Sequence, residues 1–256
     1  MSVFDQIARP ADGHAWITGG SAGIGRAVTL RLVDRGWTVH VTARDPEALE
    51  ALAAERPGRI IPRPGDVTDR ARMAEIVEQI EAEAPLALVL LNAGVYKPMK
   101  AQEFDAAVAR LMFDVNLGGV ANGLDPVLKA MIARGKGHVA LTASVAGYGG
   151  LPEACAYSAT KAGLIAMAES LALDLVELGV RISVVNPGFV ETEATKVNDF
   201  EMPFLMQPGE AADRIVAGLE RPGFEIVFPR RFAWFLRALN ALPNRWKFKA
   251  WKKMGA

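Results

Sequence analysis

Short apolar runs alternate along the chain with longer segments in which apolar residues recur every three or four positions. The runs lie near 14–18, 37–43, 58–62, 86–91, 137–143, 180–186 and 224–228 and read as strands. The segments near 24–35, 46–55, 69–83, 103–133, 155–178 and 209–220 read as amphipathic helices, several closed by breakers such as Gly36, Pro57, Pro85 and Gly179. Seven strands joined by six helical crossovers predict an α/β fold: a doubly wound, parallel seven-stranded sheet covered on both faces. Ligands of such sheets bind beyond the carboxyl ends of the strands, so chemistry is expected in the strand-to-helix loops.

The first such loop is Thr18-Gly19-Gly20-Ser21-Ala22-Gly23-Ile24-Gly25, between the first strand and the first helix. A glycine-rich turn there lets the backbone approach a diphosphate, whose charge is stabilised by the free N–H groups and dipole of the helix N-terminus. Its spacing, Gly19-x3-Gly23-x-Gly25, is a variant of the G-x-G-x-x-G fingerprint. The same residues fit G-x-S-x-G, a nucleophile elbow built on Ser21 with His138 as the later base; this serine hydrolase reading is a remote alternative. About twenty residues on, the second strand ends in Val41-Thr42-Ala43-Arg44, where an NAD site would carry an acid for the ribose 2′-hydroxyl. Arg44 offers a planar donor fork suited to a 2′-phosphate, so NADP(H) is expected in preference to NAD(H).

A second group of residues has the makings of proton chemistry. Tyr157 and Lys161 are four apart at the start of a predicted helix and share one face. A phenol with a pKa of about 10 is a poor acid or base near neutrality unless its anion is stabilised, and a close ammonium does that. Ser144 follows the fifth strand and would stand at the same rim, ready to donate to a substrate oxygen. Asn116, in the Phe113-Asp114-Val115-Asn116 stretch of the long helix expected near 103–133, is a polar residue in a largely apolar segment. Each alone has an ordinary structural explanation; their combination carries the weight.

These residues together resemble the short-chain dehydrogenase/reductase family, over about residues 14–229. Thr18, Gly19, Gly23, Ile24 and Gly25 match its cofactor motif, with Ser21 in the same loop. Asp66-Val67 matches its adenine-contacting pair, and Asn92-Ala93-Gly94 its loop after the fourth strand. Asn116, Ser144, Tyr157 and Lys161 match the catalytic tetrad, and Asn186-Pro187-Gly188-Phe189-Val190-Glu191-Thr192 the nicotinamide-side loop. The resemblance implies a Rossmann-like fold and hydride transfer between a nicotinamide cofactor and a carbonyl or alcohol carbon. It implies Tyr157 as general acid or base, Ser144 orienting the reacting oxygen, Lys161 on the nicotinamide ribose and lowering the Tyr157 pKa, and Asn116 holding a relay water. Val190 and Thr192 would hold the carboxamide, with Pro187 and Gly188 beside them, while Asn92, Ala93 and Gly94 line the cofactor channel. A catalytically idle NADP-binding or membrane-associated adaptor on the same fold is the competing reading. Family members commonly pair through the long helices, so a homodimer or homotetramer is expected.

The segment after Thr192 is expected to form a substrate lid over about 193–210. Phe200, Met202, Pro203, Phe204, Leu205 and Met206 would give it an adaptable apolar wall, which points to a hydrophobic or lipid-like substrate. Charge then changes the picture of the chain's end. The 29 bases and 29 acids balance overall, so whole-chain electrostatics gives no argument for nucleic acid. After Glu225, however, there is no acid and there are eight bases: Arg230, Arg231, Arg237, Arg245, Lys247, Lys249, Lys252 and Lys253. The preceding residues hold 21 bases against 29 acids, a net of −8. The chain thus divides into an oxidoreductase domain, 1–229, and a basic aromatic tail, 230–256. Phe232, Phe235, Leu236, Leu239 and Leu242 recur there at helical spacing, ending at Pro243. Such a helix could lie on an anionic bilayer or pack on the protein, and both stay open. Cys155 is expected as a small buried thiol. The three histidines, His14, His40 and His138, show no metal-ligand spacing, and no metal is expected. The first residues lack the apolar run of a signal peptide, so a cytoplasmic setting is expected, with peripheral contact at the inner face of a membrane as the alternative.

Overall fold

The computed structural model describes residues 6–196 and 202–253. Seven strands, β1 (His14–Thr18), β2 (Val39–Thr42), β3 (Ile60–Pro62), β4 (Leu86–Leu91), β5 (Gly137–Thr142), β6 (Val180–Pro187) and β7 (Glu225–Phe228), form one sheet in the order β3-β2-β1-β4-β5-β6-β7. Every neighbouring pair is parallel. The order reverses between β1 and β4, so the crossovers leave these two strands toward opposite faces and a crevice opens at their carboxyl ends.

Alternation along the strands divides the core into two layers. Ala15, Ile17, Leu88 and Leu90 face α1 (Gly23–Asp34), α2 (Pro46–Glu55) and α7 (Pro208–Leu219), where Val28, Leu32, Leu49 and Ile215 are buried. Trp16, Val89, Leu91 and Leu141 face α3 (Arg70–Glu83), α5 (Gly119–Arg134) and α6 (Cys155–Leu175), against Ile76, Val127 and Leu164. Strands covered on both sides read as unbroken apolar runs, which is why the sequence pattern locates them. Trp16 also satisfies its indole by donating to Thr42 Oγ1 at 2.9 Å.

Element ends differ from the pattern in several places. The second and third strands shorten to 39–42 and 60–62, and the helix expected over 155–178 stops at Leu175. The expected helix 103–133 is in three pieces: α4 (Ala106–Phe113), a π-helical turn (Asp114–Gly118) and α5. Asp105 sets the start of α4 by accepting from Ala107 N at 2.7 Å, the role of an N-cap.

The tail forms two helices, α8 (Arg230–Ala241) and α9 (Asn244–Lys253), the second of which the periodicity did not predict. Phe232, Ala233, Leu236 and Leu239 are buried, whereas Phe235 and Leu242, expected on the same face, are exposed. Burial of Phe232 and Leu236 stabilises the docking by about 1.5–3 kcal/mol each. A polar clamp adds to it: Arg237 reaches both oxygens of Glu225, at 2.6 and 2.5 Å, and stacks 4.5 Å over the Tyr148 ring. Tyr148 OH and Asn186 Nδ2 also donate to Glu225, at 2.6 and 2.7 Å. Burial raises the Glu225 pKa, but these bonds outweigh it and hold the carboxyl below its usual value. No described helix is long and apolar enough to cross a membrane.

Two of the scattered histidines meet in the fold. His14 Nδ1 and His40 Nε2 lie 2.9 Å apart, with Glu83 beside them. Arg63 donates to His40 Nδ1 at 3.2 Å and pairs with Glu83, so His40 passes its own hydrogen to His14. Burial, then the Arg63 charge and His14, push the His40 pKa down to about 3. Burial likewise holds His138, bonded to Ser183 at 2.9 Å, well below the ordinary value. The unfolded chain therefore takes up protons below about pH 6.5 that the folded chain refuses, and stability falls as pH drops. Between pH 6.5 and 4.5 the unfolding free energy should decline by about 1 kcal/mol or more per pH unit in urea titrations, and His40→Gln should flatten that slope.

Candidate active site

The carboxyl end of the sheet is organised by Thr18, the last residue of β1. Its Oγ1 accepts from the backbone N–H groups of Asn92, at 3.0 Å, and Ala93, at 3.1 Å. Asn92 Nδ2 returns the contact by donating to the carbonyls of Thr18, at 3.3 Å, and Gly19, at 3.2 Å. Strand ends flanking the crevice are thus held so close that a Cβ on Gly19 would stand 2.7 Å from Ala93 Cα. Gly19 also has φ +65°, a left-handed conformation that a side chain disfavours. At Gly25 a Cβ would meet the Gly19 carbonyl oxygen at 2.2 Å, so the first turn of α1 approaches the loop only because both positions are glycine.

A cavity of about 930 Å³ opens above this loop. Gly19, Gly23, Ile24, Asn92, Ala93 and Gly94 line one end of it, and Pro187, Gly188, Val190 and Thr192 face it from the loop after β6. Ser144, Tyr157 and Lys161 stand on its wall. Thr18, Ser21, Gly25, Asn116, Arg44, Asp66 and Val67 are not on the lining. Thr18 and Asn116 act from behind it. Arg44 is exposed just past β2 with no ion pair among the described residues, and its charge helps lower the Asp66 pKa after the larger effect of the Thr68 bonds. Asp66 Oδ1 accepts from Thr68 N at 2.9 Å and Thr68 Oγ1 at 2.8 Å, while the Val67 carbonyl accepts from Asn122 at 2.9 Å.

Asn116 lies in the π-helical turn, completely buried. Its Oδ1 accepts from Val95 N at 2.7 Å, and its Nδ2 donates to Val95 O at 3.0 Å and Thr160 Oγ1 at 3.1 Å. The π turn, with its extra residue, turns the amide toward this strip of backbone, a use of such turns common near sites. Lys161 is 3% exposed and donates to the Thr142 carbonyl at 2.7 Å, leaving two of its three N–H groups uncommitted in the cavity wall. Burial lowers its pKa to about 8. Burial also pushes Tyr157 up to about 12, only partly offset by its bond with Ser144. The lysine charge expected to set the tyrosine pKa is not among the causes that set it here: Lys161 Nζ is 5.5 Å from the Tyr157 ring centre and aimed at Thr142. The Ser144 hydroxyl accepts from Ala146 N at 3.1 Å and faces the Pro187 carbonyl at 3.4 Å.

The far end of the cavity is apolar, and its walls differ from those expected. Of the lid segment, Phe200 lies outside the described residues, and Pro203 lines the cavity. Met206 is buried in the core, because it pairs with Val190 as an isolated bridge and accepts from Glu191 N at 2.9 Å. Phe204 and Leu205 are exposed. The wall comes instead from Tyr96, whose ring meets Tyr157 edge-on at 4.9 Å, from Phe189, and from the tail residues Phe232, Phe235 and Trp251. Sequence reasoning missed this use of the tail, although the spacing of Phe232 and Phe235 was its signal. Trp251 Nε1 is buried with no hydrogen-bond partner among the described residues. Cys155 is exposed rather than buried, because the start of α6 turns Ala154 and Ala156 inward. The hydrolase alternative fails on placement: His138 pairs with Leu88 near the amino end of β5, level with Ala15, whereas Ser21 lies beyond the carboxyl end of β1.

Comparison with known proteins decides the family. The family model described as short chain dehydrogenase matches residues 13–201. The chain belongs to this family. An oxidoreductase of Myxococcus xanthus is 38% identical over 234 residues, covering 90% of this chain and 92% of its own. The 3-oxoacyl-acyl-carrier-protein reductase FabG of Thermotoga maritima is 34% identical over 189 residues, covering 70% of this chain and 75% of its own. Among solved structures, a short-chain dehydrogenase of Burkholderia cenocepacia in complex with NADP superposes with a TM-score of 0.80 at 25% identity, covering 93% of this chain and 96% of that one. The short-chain dehydrogenase is therefore an NAD(P)-dependent oxidoreductase on a Rossmann-like fold.

Asn116→Ala would leave the N–H and carbonyl of Val95 without partners beside the cavity. A loss of about 2 kcal/mol or more in unfolding free energy is expected by denaturant titration, against almost none for exposed Asp114→Ala.

Proposed function

We propose that the enzyme reduces the carbonyl of an apolar, lipid-like substrate, using NADP(H) in preference to NAD(H), and carries out the reverse oxidation of the alcohol. The observation that carries this reading is the meeting of Ser144, Tyr157 and Lys161 on one wall of a cavity with a glycine-built cradle at one end and aromatic rings at the other. The glycine loop with Ser21 and Ile24, the Asn92-Ala93-Gly94 strip, Asp66 with Val67, and Pro187, Gly188, Val190 and Thr192 are the residues that would hold the dinucleotide. When bound, the nicotinamide supplies or accepts the hydride.

The proton chemistry belongs to the chain. A Tyr157 phenol pushed up to about 12 keeps its proton at neutral pH, as suits a donor to a carbonyl oxygen gaining charge. Ser144 donates to the same oxygen and orients it. Lys161 would hold the ribose hydroxyls with its remaining N–H groups, and its charge would favour the phenolate left after transfer. Asn116 acts as a positioning residue through Val95 and Thr160.

The cofactor preference rests on Arg44, exposed and without an ion pair among the described residues at the place where an acid would favour NAD. It is supported by the actinorhodin polyketide ketoreductase solved with NADPH, 27% identical with a TM-score of 0.77. The substrate class rests on the aromatic end of the cavity; the unpartnered Trp251 N–H there suits a substrate with an oxygen acceptor, such as an ester or thioester, along its apolar chain. We assign the enzyme to the cytoplasm as a homodimer or homotetramer paired through α4 and α6, where Leu111, Phe113, Leu173 and Val176 are exposed. The idle adaptor is disfavoured by the wall itself, since binding alone calls for no buried lysine beside a buried phenol.

Tyr157→Phe should lower turnover about a thousand-fold while NADPH affinity stays within about threefold, read by initial rates and fluorescence titration. Equal activity would remove the proposed mechanism. Arg44→Ala should weaken NADPH about tenfold or more and leave NADH nearly unchanged, in parallel titrations.

A further inference from the structure

The docking of α8 uses one of the tail's eight bases and one face of the helix, and leaves the rest outward. Among the described residues only Arg237 of the eight has a carboxylate partner. On α8 the buried face is Phe232, Leu236 and Leu239, and the opposite face carries Trp234, 70% exposed, one turn from Arg230 and Arg231. On α9 no residue is fully buried; Trp246 is 55% exposed and Phe248 62% exposed. Bases lie over these rings: Lys249 Nζ and the Arg245 guanidinium each 5.9 Å from the Trp246 centre, and Lys247 Nζ 5.2 Å from Phe248. Large exposed aromatics are costly on a surface that meets only water, and here they coincide with the one stretch of chain that has bases and no acid.

The same two helices wall the cavity. Phe232, Phe235 and Trp251 line it, and Phe235 is at once on the lining and exposed. Phe235 thus joins the apolar end of the cavity to the outer surface of the same two helices that carry the exposed aromatics and bases. We propose that α8 and α9 form a docking platform for an anionic lipid bilayer, through which the enzyme takes its apolar carbonyl substrate from the membrane into the cavity. The charge decides the occupant. Aromatic rings that settle at headgroup depth, flanked by unpaired Arg and Lys, match a negatively charged lipid surface. A second copy docked on the same surface about a two-fold axis would bring the same bases against each other.

The inference rests on the apolar-substrate reading, but its test is independent of it, since vesicle binding needs neither turnover nor cofactor. The full chain is sedimented with vesicles of phosphatidylcholine alone and with about one-third phosphatidylglycerol, at low and at about 1 M salt. Binding is expected to the anionic vesicles at low salt and to be largely lost at high salt. Lys249→Gln with Lys252→Gln should weaken it about 25-fold, about fivefold per base at about 1 kcal/mol each. Trp246→Ser with Phe248→Ser should weaken it on the same vesicles while leaving turnover of a water-soluble ketone unchanged, which shows that the variant is folded. No binding, or equal binding to both compositions, overturns the proposal. So does a change of oligomeric size in the aromatic variant by sedimentation velocity, which would assign the surface to a second copy.

Discussion

The site depends on one small clamp. Thr18 takes the N–H groups of Asn92 and Ala93, and Asn92 gives its amide back to the carbonyls of Thr18 and Gly19. Parallel strands whose crossovers leave in opposite directions would otherwise splay at their ends, and their backbone groups there have no ladder partner. With the ends held, the glycine loop and the strip Asn92-Ala93-Gly94 become two sides of one crevice. The close contacts at Gly19 and Gly25 accompany that closure, and with it the glycine-lined end of the cavity takes its shape.

From the clamp, polar contacts run back into the protein. Gly94 is followed by Val95, which the Asn116 amide grips on both its N–H and its carbonyl; Asn116 in turn reaches Thr160, next to Lys161 on α6. Lys161 is tied to Thr142 at the end of β5. A buried lysine with one fixed partner among the described residues is costly to stability, and the same burial lowers its pKa. Groups that would be poor choices for a stable core are thus gathered at one rim, which is what chemistry rather than packing requires.

Much of this was legible in the sequence because it follows local rules. The strands are buried on both faces, so their apolar runs mark them; Tyr157 and Lys161 share a helical face by spacing, while the glycines and Ser144 join them through the loops of the expected sheet and the family resemblance. What escaped has partners distant in the chain. The π turn at Asn116 answers to Val95, 21 residues away, and His14 meets His40 26 residues away. Met206 went to the core through a bridge to Val190 that no periodicity encodes. The tail helix α8 buries Phe232, Leu236 and Leu239 but leaves Phe235 and Leu242 exposed, and the Arg237–Glu225 pair that helps to hold it joins residues on different elements, which periodicity does not encode.

The tail then has two faces with different physics: one closes the aromatic end of the cavity, the other carries unpaired charge and exposed rings. Both matter only if the crevice is a nicotinamide site, and that claim is tested most directly by titrating the unmodified protein with NADPH and NADH, following energy transfer from its tryptophans. Saturable binding of NADPH, tighter than that of NADH, is the result this account predicts; binding of neither dinucleotide would contradict it.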